Sequence, residues 1–303
     1  MSQSNEASLT QGAPDASSLG LLFDLFKLRI GLAIGLAALA GIAITPGQAP
    51  SILRTLLLVA AVTLTSAAAG AFNQYVERDL DAQMRRTRGR VFVTGRFSTG
   101  PEWLIAIGIL ALTGVAIAAF AGNAASAIYT FLGAFTYGVV YTLWLKRRTW
   151  WNIVVGGLAG SFAVLAGAAA VAATKLPALP LTFAVILFLW TPPHFWSLAI
   201  AYRDDYAAAK VPMLPVVVGE ARAARAVLTG TVLLVAATLV PIIFGMGWLY
   251  LTSAISGGTY LLTRSTQLAR KPSRRTAMAC FRASLLQLTI LLLAAIADRA
   301  LHR

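Results

Sequence analysis

Long apolar segments alternate with short polar connections along most of this chain of 303 residues. A helix needs about 20 mostly apolar residues to cross a lipid bilayer, and nine segments meet or approach that length. They are residues 28–46, 52–75, 102–121, 124–145, 151–173, 179–202, 223–243, 247–263 and 279–298. The eighth is the weakest, because "WLYLTSAISGGTYLLT" contains two glycines and several hydroxyl groups. The pattern predicts an all-α integral membrane protein with nine transmembrane helices.

Residues 1–21 differ in composition from everything that follows. The stretch "MSQSNEASLTQGAPDASSLG" is polar, is rich in Ser, Ala and Gly, and lacks the basic start of a secretory signal peptide. We expect a disordered cytoplasmic tail at residues 1–21, followed by a single transmembrane domain at residues 22–300.

The basic residues are distributed very unequally between the two sides of the predicted spans. The chain is 58% hydrophobic and 12% charged, yet its formal net charge is +14. Of its 25 basic residues, 21 lie on one side, at residues 27–29, 76–100, 146–148, 203–225 and 264–282. Because cytoplasmic loops are enriched in Lys and Arg, we expect the N-terminus in the cytoplasm and the C-terminus outside, in a bacterial inner membrane. These loops would meet anionic lipid or an anionic substrate, and no nucleic-acid partner is expected.

The second predicted span ends in a dense cluster of charges, "NQYVERDLDAQMRRTRGR" at residues 73–90. Asn73, Glu77 and Asp81 are spaced i, i+4 and i+8, so on a helix they share one face and extend over about 12 Å. Carboxylate and carboxamide oxygens suit Mg²⁺, which commonly bridges carboxylates to substrate phosphates. The spacing therefore favours a metal site at the end of this span.

The other charges of the stretch would surround that site. The arginines, which include Arg78 and Arg90, would hold phosphate oxygens that the metal leaves uncovered. Asp79 is two residues off the shared face and would pair with an arginine instead. A solvated charge cluster without a ligand is the alternative.

A second acidic cluster follows the sixth predicted span. "AYRDDYAAAKVPMLP" at residues 201–215 contains Asp204, Asp205 and Lys210. Four spans separate this cluster from the first, and an even number returns the chain to the same face of the membrane. Two metal sites facing each other across a diphosphate would neutralise it as a leaving group and help an allylic carbon–oxygen bond to ionise. The sequence therefore favours one site built from two halves.

Other kinds of active site leave no trace in the chain. It has no Ser-His-Asp order, no Cys/His zinc spacing and no nucleotide-binding phosphate loop. Asn-xxx-acid-xxx-Asp followed by "MRRTRGR", in contrast, resembles the first aspartate-rich motif of the UbiA superfamily of intramembrane prenyltransferases. Residues 141–160, "YTLWLKRRTWWNIVVGGLAG", and 190–219, "WTPPHFWSLAIAYRDDYAAAKVPMLPVVVG", resemble the branch of that superfamily that farnesylates protohaem IX. The resemblance covers most of residues 22–300.

The resemblance implies a UbiA-type bundle of nine helices, bound Mg²⁺ and a defined reaction. The farnesyl group of farnesyl diphosphate passes to a vinyl carbon of protohaem IX, and water completes a hydroxyethylfarnesyl substituent. The product would serve the biogenesis of haem–copper oxidases, which makes a downstream haem A synthase or the terminal oxidase a possible partner.

The resemblance also assigns roles to individual residues. It implies Asn73, Glu77, Asp81 and Asp205 as catalytic and metal-binding residues, with Arg90 and Lys146 as contacts of the diphosphate. Three positions depart from the family pattern: Glu77 replaces the usual Asp, "KLR" (27–29) replaces Lys-Pro-Arg, and "SFAVLA" (161–166) lacks the usual Pro-Pro.

The chain has two histidines, and only His194 lies within a predicted span. It follows Pro192 and Pro193, which lack backbone N–H groups and are expected to break or kink the sixth span. Its imidazole would bind the acceptor, by ligating haem iron or by donating to a propionate. A structural histidine bonded to a neighbouring carbonyl is the alternative. His302, near the end of the chain, is expected to be solvated.

Two other functions stay open at this point. A sister prenyltransferase with a phenolic or chlorin acceptor would use the same acidic motifs. A cation-coupled transporter would bind its ion with paired acids, although transporters usually place such charges near the bilayer midplane on interrupted helices.

Overall fold

The computed structural model describes residues 18–301, and every regular element in that range is helical. The bounds are α1 Ser18–Leu25, α2 Leu28–Ile44, α3 Ile52–Val76, α4 Arg78–Gln83, α5 Glu102–Ala121, α6 Ala124–Phe135, a π-helix Thr136–Leu145, α7 Asn152–Gly156, α8 Leu158–Ala169, α9 Ala178–Ala201, α10 Arg203–Ala208, α11 Leu214–Val218, α12 Glu220–Leu239, a 3₁₀-helix Val240–Phe244, α13 Trp248–Arg270 and α14 Arg274–Leu301. Residues 1–17 of the predicted tail and His302 lie outside the described range, whereas residues 18–21 form the first turn of α1.

The long helices of the described range correspond to the nine predicted segments. Seven are long and apolar enough to cross a membrane, and α1 with α2 forms an eighth span that is bent by 54°. The remaining long helix, α13, has 23 residues, packs between α12 and α14, and is the segment that the sequence marked as the weakest. The prediction of an all-α membrane bundle is confirmed.

Small residues allow two of the spans to pack closely. Gly41 of α2 and Gly167 of α8 face each other's helix, and a Cβ atom on either would collide with a carbonyl oxygen of Val164 or Ala38. Between helices in lipid, such close backbone contact supplies van der Waals packing where the hydrophobic effect is absent. The contact joins α2 to α8, and α3 packs against α2 while α9 packs against α8.

Of the break or kink expected at Pro192 and Pro193, the break does not occur, because α9 runs without interruption from Ala178 to Ala201. The φ angle of proline is compatible with a helix, and in lipid the helix is favoured because water cannot replace its backbone hydrogen bonds. Gly230 of α12 makes room for the Pro193 ring, since a Cβ at that position would lie 2.9 Å from Pro193 Cγ. Both prolines are buried between helices.

The polar ends of α3, the π-helix and α9 lie together with the start of α14, at what we call the polar end of the bundle. An aromatic cluster anchors the 84–101 loop there: Phe92 packs edge-on against both Tyr75 and Trp103, at centroid distances of 5.4 Å. Leu25, at the end of α1, is buried in the same cluster. The loop that carries Arg86 and Arg90 is therefore held against the bundle.

Candidate active site

The three polar residues of the first motif share one buried face, as their spacing predicts. Helix α3 ends at Val76 and α4 begins at Arg78, but the backbone bonds Glu77 N–H to Asn73 O (3.0 Å) and Asp81 N–H to Glu77 O (2.8 Å) carry the helical pattern across the junction. Asn73, Glu77 and Asp81 are 3%, 0% and 2% exposed. A buried carboxylate is costly without a partner, so these acids require cations close by.

Each residue of that face contacts one basic side chain. Lys27 Nζ donates to Asn73 Oδ1 at 2.7 Å, and Arg90 Nη1 donates to Asp81 Oδ2 at 2.5 Å. Lys146 Nζ forms a close ion pair with Glu77 Oε2. Three bases from three different segments therefore converge on the first motif.

The π-helix Thr136–Leu145 positions one side of this cluster. Its wider turns are visible in the bond from Lys146 N–H to Tyr141 O at 2.9 Å, which spans five residues. Thr142 Oγ1 donates to Tyr137 O at 2.8 Å and accepts from Asn73 Nδ2 at 3.0 Å. π-Helical turns are rare and are frequent at functional sites, and this one turns Thr142 and Lys146 toward the first motif.

Lys27 also belongs to this cluster, although its position in the sequence predicted only a basic residue on the cytoplasmic side. It lies at the bend between α1 and α2 in the left-handed conformation, with φ 48° and ψ 44°. Besides Asn73, its ammonium donates to Tyr137 OH at 3.0 Å. The "KLR" departure from Lys-Pro-Arg was the available signal, because it marks this position as part of a family motif.

The 84–101 loop, which follows the first motif, contacts the second motif. The backbone N–H of Arg86 donates to Asp205 Oδ2 at 3.3 Å. The guanidinium groups of Arg86 and of Arg274 both lie over the Tyr202 ring, 5.5 Å and 5.3 Å from its centroid. Asp204, in contrast, is exposed and pairs only loosely with Arg203 at 3.6 Å. The two acidic clusters thus lie at the same end of the bundle, as predicted from the even number of intervening spans.

Two charged residues of the first motif face away from the cluster. Arg78 is exposed, and its Nη1 donates to Tyr75 O at 2.7 Å. Asp79 forms a two-bond pair with Arg147 at 2.8 Å for each bond, as expected for the acid that lies off the shared face. The hydrogen bonds from Arg147 hold the pKa of Asp79 below its usual value.

The side chains present suit a hard cation that enters together with further oxygen ligands. Within residues 18–301, no three His, Cys, Asp or Glu side chains converge closely enough to hold a metal ion by themselves. Glu77 Oε1, however, is buried and accepts no hydrogen bond from the described residues. A buried carboxylate oxygen without a donor, beside Asn73 Oδ1 and Asp81, matches the oxygen chemistry of Mg²⁺.

His194 occupies a separate aromatic pocket between α9 and α14. Its Nδ1 lies 2.7 Å from Ser284 Oγ, and its ring stacks on Trp190 and Phe281 at centroid distances of 4.1 Å and 4.4 Å. Ser284 Oγ donates to Phe281 O at 2.8 Å, so its lone pair is free to accept a hydrogen bond from Nδ1–H. The partner is a hydroxyl group, and no hydrogen bond from the described residues occupies Nε2.

Fold and site together define an all-helical integral membrane protein with paired acids and bases buried at one end of the bundle. The sequence profile of the UbiA prenyltransferase family matches residues 34–291. The chain belongs to this family of prenyltransferases. Among its relatives, "Protoheme IX farnesyltransferase 2" of Paramagnetospirillum magneticum is 54% identical over 282 residues, which cover 93% of this chain and 98% of the relative.

Solved structures share the fold at low sequence identity. Digeranylgeranylglyceryl phosphate synthase superposes with a TM-score of 0.74 at 18% identity, over 93% of this chain and 98% of its own. A UbiA homologue from Archaeoglobus fulgidus, bound to DMAPP and Mg²⁺, superposes with a TM-score of 0.66 at 15% identity, over 91% and 99% of the two chains. These likenesses establish the helical architecture.

Proposed function

We propose that this prenyltransferase transfers the farnesyl group of farnesyl diphosphate to a vinyl group of protohaem IX. The observation that carries the proposal is the identity of 54% over 93% of the chain with a protoheme IX farnesyltransferase. The buried cluster at the polar end supports it, because it offers both oxygen ligands for a metal and bases for a diphosphate.

The donor diphosphate binds between the two acidic motifs. Arg90 and Lys146 now contact Asp81 and Glu77, and both would turn to phosphate oxygens when those carboxylates take up a metal. Arg78 lies at the outer edge, on Tyr75, and its assignment as a diphosphate contact stays a prediction. The farnesyl chain extends from this end into the apolar interior of the bundle.

Asn73, Glu77, Asp81 and Asp205 would hold Mg²⁺ at this site. When bound, Mg²⁺ neutralises the diphosphate and thereby makes it a better leaving group. The solved homologue that binds DMAPP with Mg²⁺ has the same fold, which supports this choice of metal. Glu77 Oε1 is a ligand oxygen that is available without breaking an ion pair.

The chain's own residues bind and orient the reactants, and no side-chain nucleophile is needed. Departure of diphosphate leaves an allylic cation at the first farnesyl carbon, and the terminal vinyl carbon of the acceptor supplies the electron pair for the new carbon–carbon bond. Water then adds to the inner vinyl carbon and loses a proton, which gives the hydroxyethylfarnesyl substituent. His194 binds the acceptor deeper in the bundle, through its unoccupied Nε2.

The orientation of the protein in its membrane follows from the same proposal. The polar end faces the cytoplasm and the C-terminus lies outside, in a bacterial inner membrane, because the basic connections gather at the polar end. The product would pass to a haem A synthase or to a terminal oxidase.

Mass spectrometry of haems extracted from cells that express the chain tests the proposal. The expected product is haem that carries a hydroxyethylfarnesyl group, and an Asp81→Ala variant is the matched negative control. Farnesylation of a phenolic or chlorin acceptor instead would identify a sister prenyltransferase. If purified protein releases no diphosphate from farnesyl diphosphate with any of these acceptors, the prenyltransferase mechanism proposed for this site is wrong.

A further inference from the structure

We propose that Lys27 is a third basic contact of the donor diphosphate, presented to the site by the bend between α1 and α2. The proposal rests on the proposed function, because it adds a residue to the same diphosphate site. Lys27 belongs to neither acidic motif and to neither loop that supplies Arg90 and Lys146.

Side chains of α3 build the bend that directs Lys27 inward. Gln74 Nε2 donates to the backbone oxygens of Asp24 and Leu25, at 2.8 Å and 3.1 Å, and so satisfies carbonyl groups at the end of α1. The aliphatic part of Lys27 packs against α3 at Gly70, where even an added Cβ would lie at an ordinary contact distance of 3.4 Å from Lys27 Cδ. A non-glycine residue in the left-handed region is unusual and needs such support. The bend is therefore part of the site.

The present partner of Lys27 is the atom that a metal would take. Asn73 Nδ2 is engaged by Thr142, which leaves Asn73 Oδ1 directed at the Lys27 ammonium. If Oδ1 ligates Mg²⁺, the ammonium loses its shorter bond and keeps only the one to Tyr137 OH among those the described residues provide. A phosphate oxygen of a diphosphate bound at the same site would be the replacement, because Mg²⁺ is usually bound by carboxylates together with substrate phosphates.

The same exchange applies to the other two bases of the cluster. Lys146 and Arg90 occupy oxygens of Glu77 and Asp81, as Lys27 occupies the oxygen of Asn73. A metal ion alone that took the oxygens now held by these bases would leave buried cations unpaired, which is unfavourable. A diphosphate alone would bring an anion without releasing the bases from their present partners. Metal and diphosphate should therefore strengthen each other's binding, with the reciprocity that linkage requires.

The test compares Lys27→Met with two controls in the purified full-length protein. Lys27→Arg keeps the charge at position 27, and Arg29→Gln removes an exposed charge two residues away on the same helix. Binding of inorganic diphosphate is measured in saturating Mg²⁺, and binding of Mn²⁺ alone is followed by electron paramagnetic resonance as a probe of the metal site. Near-ultraviolet circular dichroism establishes that each variant is folded.

Lys27→Met should weaken diphosphate binding on the order of 10-fold or more, since a charge-assisted hydrogen bond is lost. The same variant should bind Mn²⁺ alone at least as tightly as the wild type, because Asn73 Oδ1 no longer has a competing cation. Lys27→Arg should keep most of the diphosphate affinity, and Arg29→Gln should change neither measurement.

Three results would overturn the proposal. Unchanged diphosphate binding in Lys27→Met would show that Lys27 does not contact the diphosphate. An equal loss of binding in Arg29→Gln would show that the effect comes from the general positive charge of the region. A parallel loss of diphosphate and Mn²⁺ binding in folded Lys27→Met makes Lys27 a structural support for Asn73. In all three cases wild-type binding persists, so the proposed function stands. Wild-type protein that binds no diphosphate at all would contradict both proposals.

Discussion

The backbone N–H of Arg86 donates a hydrogen bond of 3.3 Å to Oδ2 of Asp205, which lies 119 positions further along the chain. This bond joins the loop after the first acidic motif to the second motif. The carboxylate that we propose as a metal ligand of the second motif thus also holds the loop over the site. The two tasks of Asp205 can be separated, because an amide oxygen still accepts a hydrogen bond but carries no charge.

Asp205→Asn should keep the loop in place and still lose activity. We expect the amide to accept the Arg86 N–H bond, while the rate of farnesyl transfer falls roughly 100-fold because a charged ligand is lost. Asp205→Ala should lose both functions and expose the arginines of the 84–101 loop to trypsin. The matched control is Asp204→Asn, since Asp204 is exposed and bonds only to its neighbour Arg203. Full activity in Asp205→Asn would exclude this carboxylate from the metal site.

Asn73→Ala and Asp81→Ala should abolish transfer with little loss of folded protein. Each removes one oxygen from the buried face, and we expect rates at least roughly 100-fold below wild type. Activity is measured as farnesylated haem formed by purified protein, with the yield of monodisperse protein in detergent as the measure of folding. Asp79→Asn removes an acid from the same helical turn on its exposed side and should keep near-normal activity. If both alanine variants transfer farnesyl normally, the first motif binds no essential metal.

The pair between Asp79 and Arg147 gives a stability effect with a defined pH dependence. Because the folded protein lowers the pKa of Asp79, the pair stabilises the fold above the ordinary carboxyl pKa of about 3.9, and the effect is lost as pH falls through the lowered value. The side chains of Arg147 and Asp79 are 42% and 56% exposed, so solvent screening limits the effect to at most about 1 kcal/mol. Thermal unfolding of wild type and Asp79→Asn should therefore differ slightly at neutral pH and converge in acid. A difference that grows in acid would contradict this assignment.

Much of this architecture can be predicted from the sequence, because the lipid bilayer strongly constrains the length and composition of the helices that cross it. Apolar length marks the spans, and the spacing of Asn73, Glu77 and Asp81 marks a shared face, since both follow from helix geometry alone. The basic side chains that pair with that face are harder to predict from the sequence. Lys27 enters through a bend that Gln74 of another helix supports by hydrogen bonds to Asp24 O and Leu25 O, and the π-helical turn that aims Lys146 has no local sequence signal. The continuous course of α9 depends likewise on Gly230 of α12, which receives Pro193.

Single-cysteine labelling should place the polar end on the cytoplasmic side. In a background that lacks Cys280, cysteines at Arg222 and Arg264 should react with a membrane-impermeant reagent only in inside-out vesicles. A cysteine at Lys175, in the connection between α8 and α9 at the opposite end, should react only in right-side-out vesicles. The reversed pattern would put both acidic motifs outside, away from a cytoplasmic supply of diphosphate.

His194 should affect the acceptor and leave the donor unaffected. It lies 11 residues before Asp205 on the sequence, and α9 continues to Ala201 before the junction to α10. About 10 Å of helix therefore separates His194 from the start of the second motif, which favours separate roles for the two residues. Ser284 accepts from Nδ1 and so favours the tautomer in which Nε2 has a free lone pair, suited to iron. His194→Ala should therefore weaken haem binding, followed by the Soret absorption, on the order of 10-fold.

Two measurements separate this role from a structural one. Magnesium-dependent binding of farnesyl diphosphate should stay within about 2-fold of wild type in His194→Ala. Ser284→Ala keeps the imidazole but removes its Nδ1 partner, so it should shift the haem spectrum and weaken binding less than His194→Ala does. If His194→Ala binds haem normally but loses diphosphate binding, His194 contacts the donor and not the acceptor. The acceptor would then have to lie near Lys146, and the aromatic pocket of Trp190 and Phe281 would be a packing feature of α9 and α14.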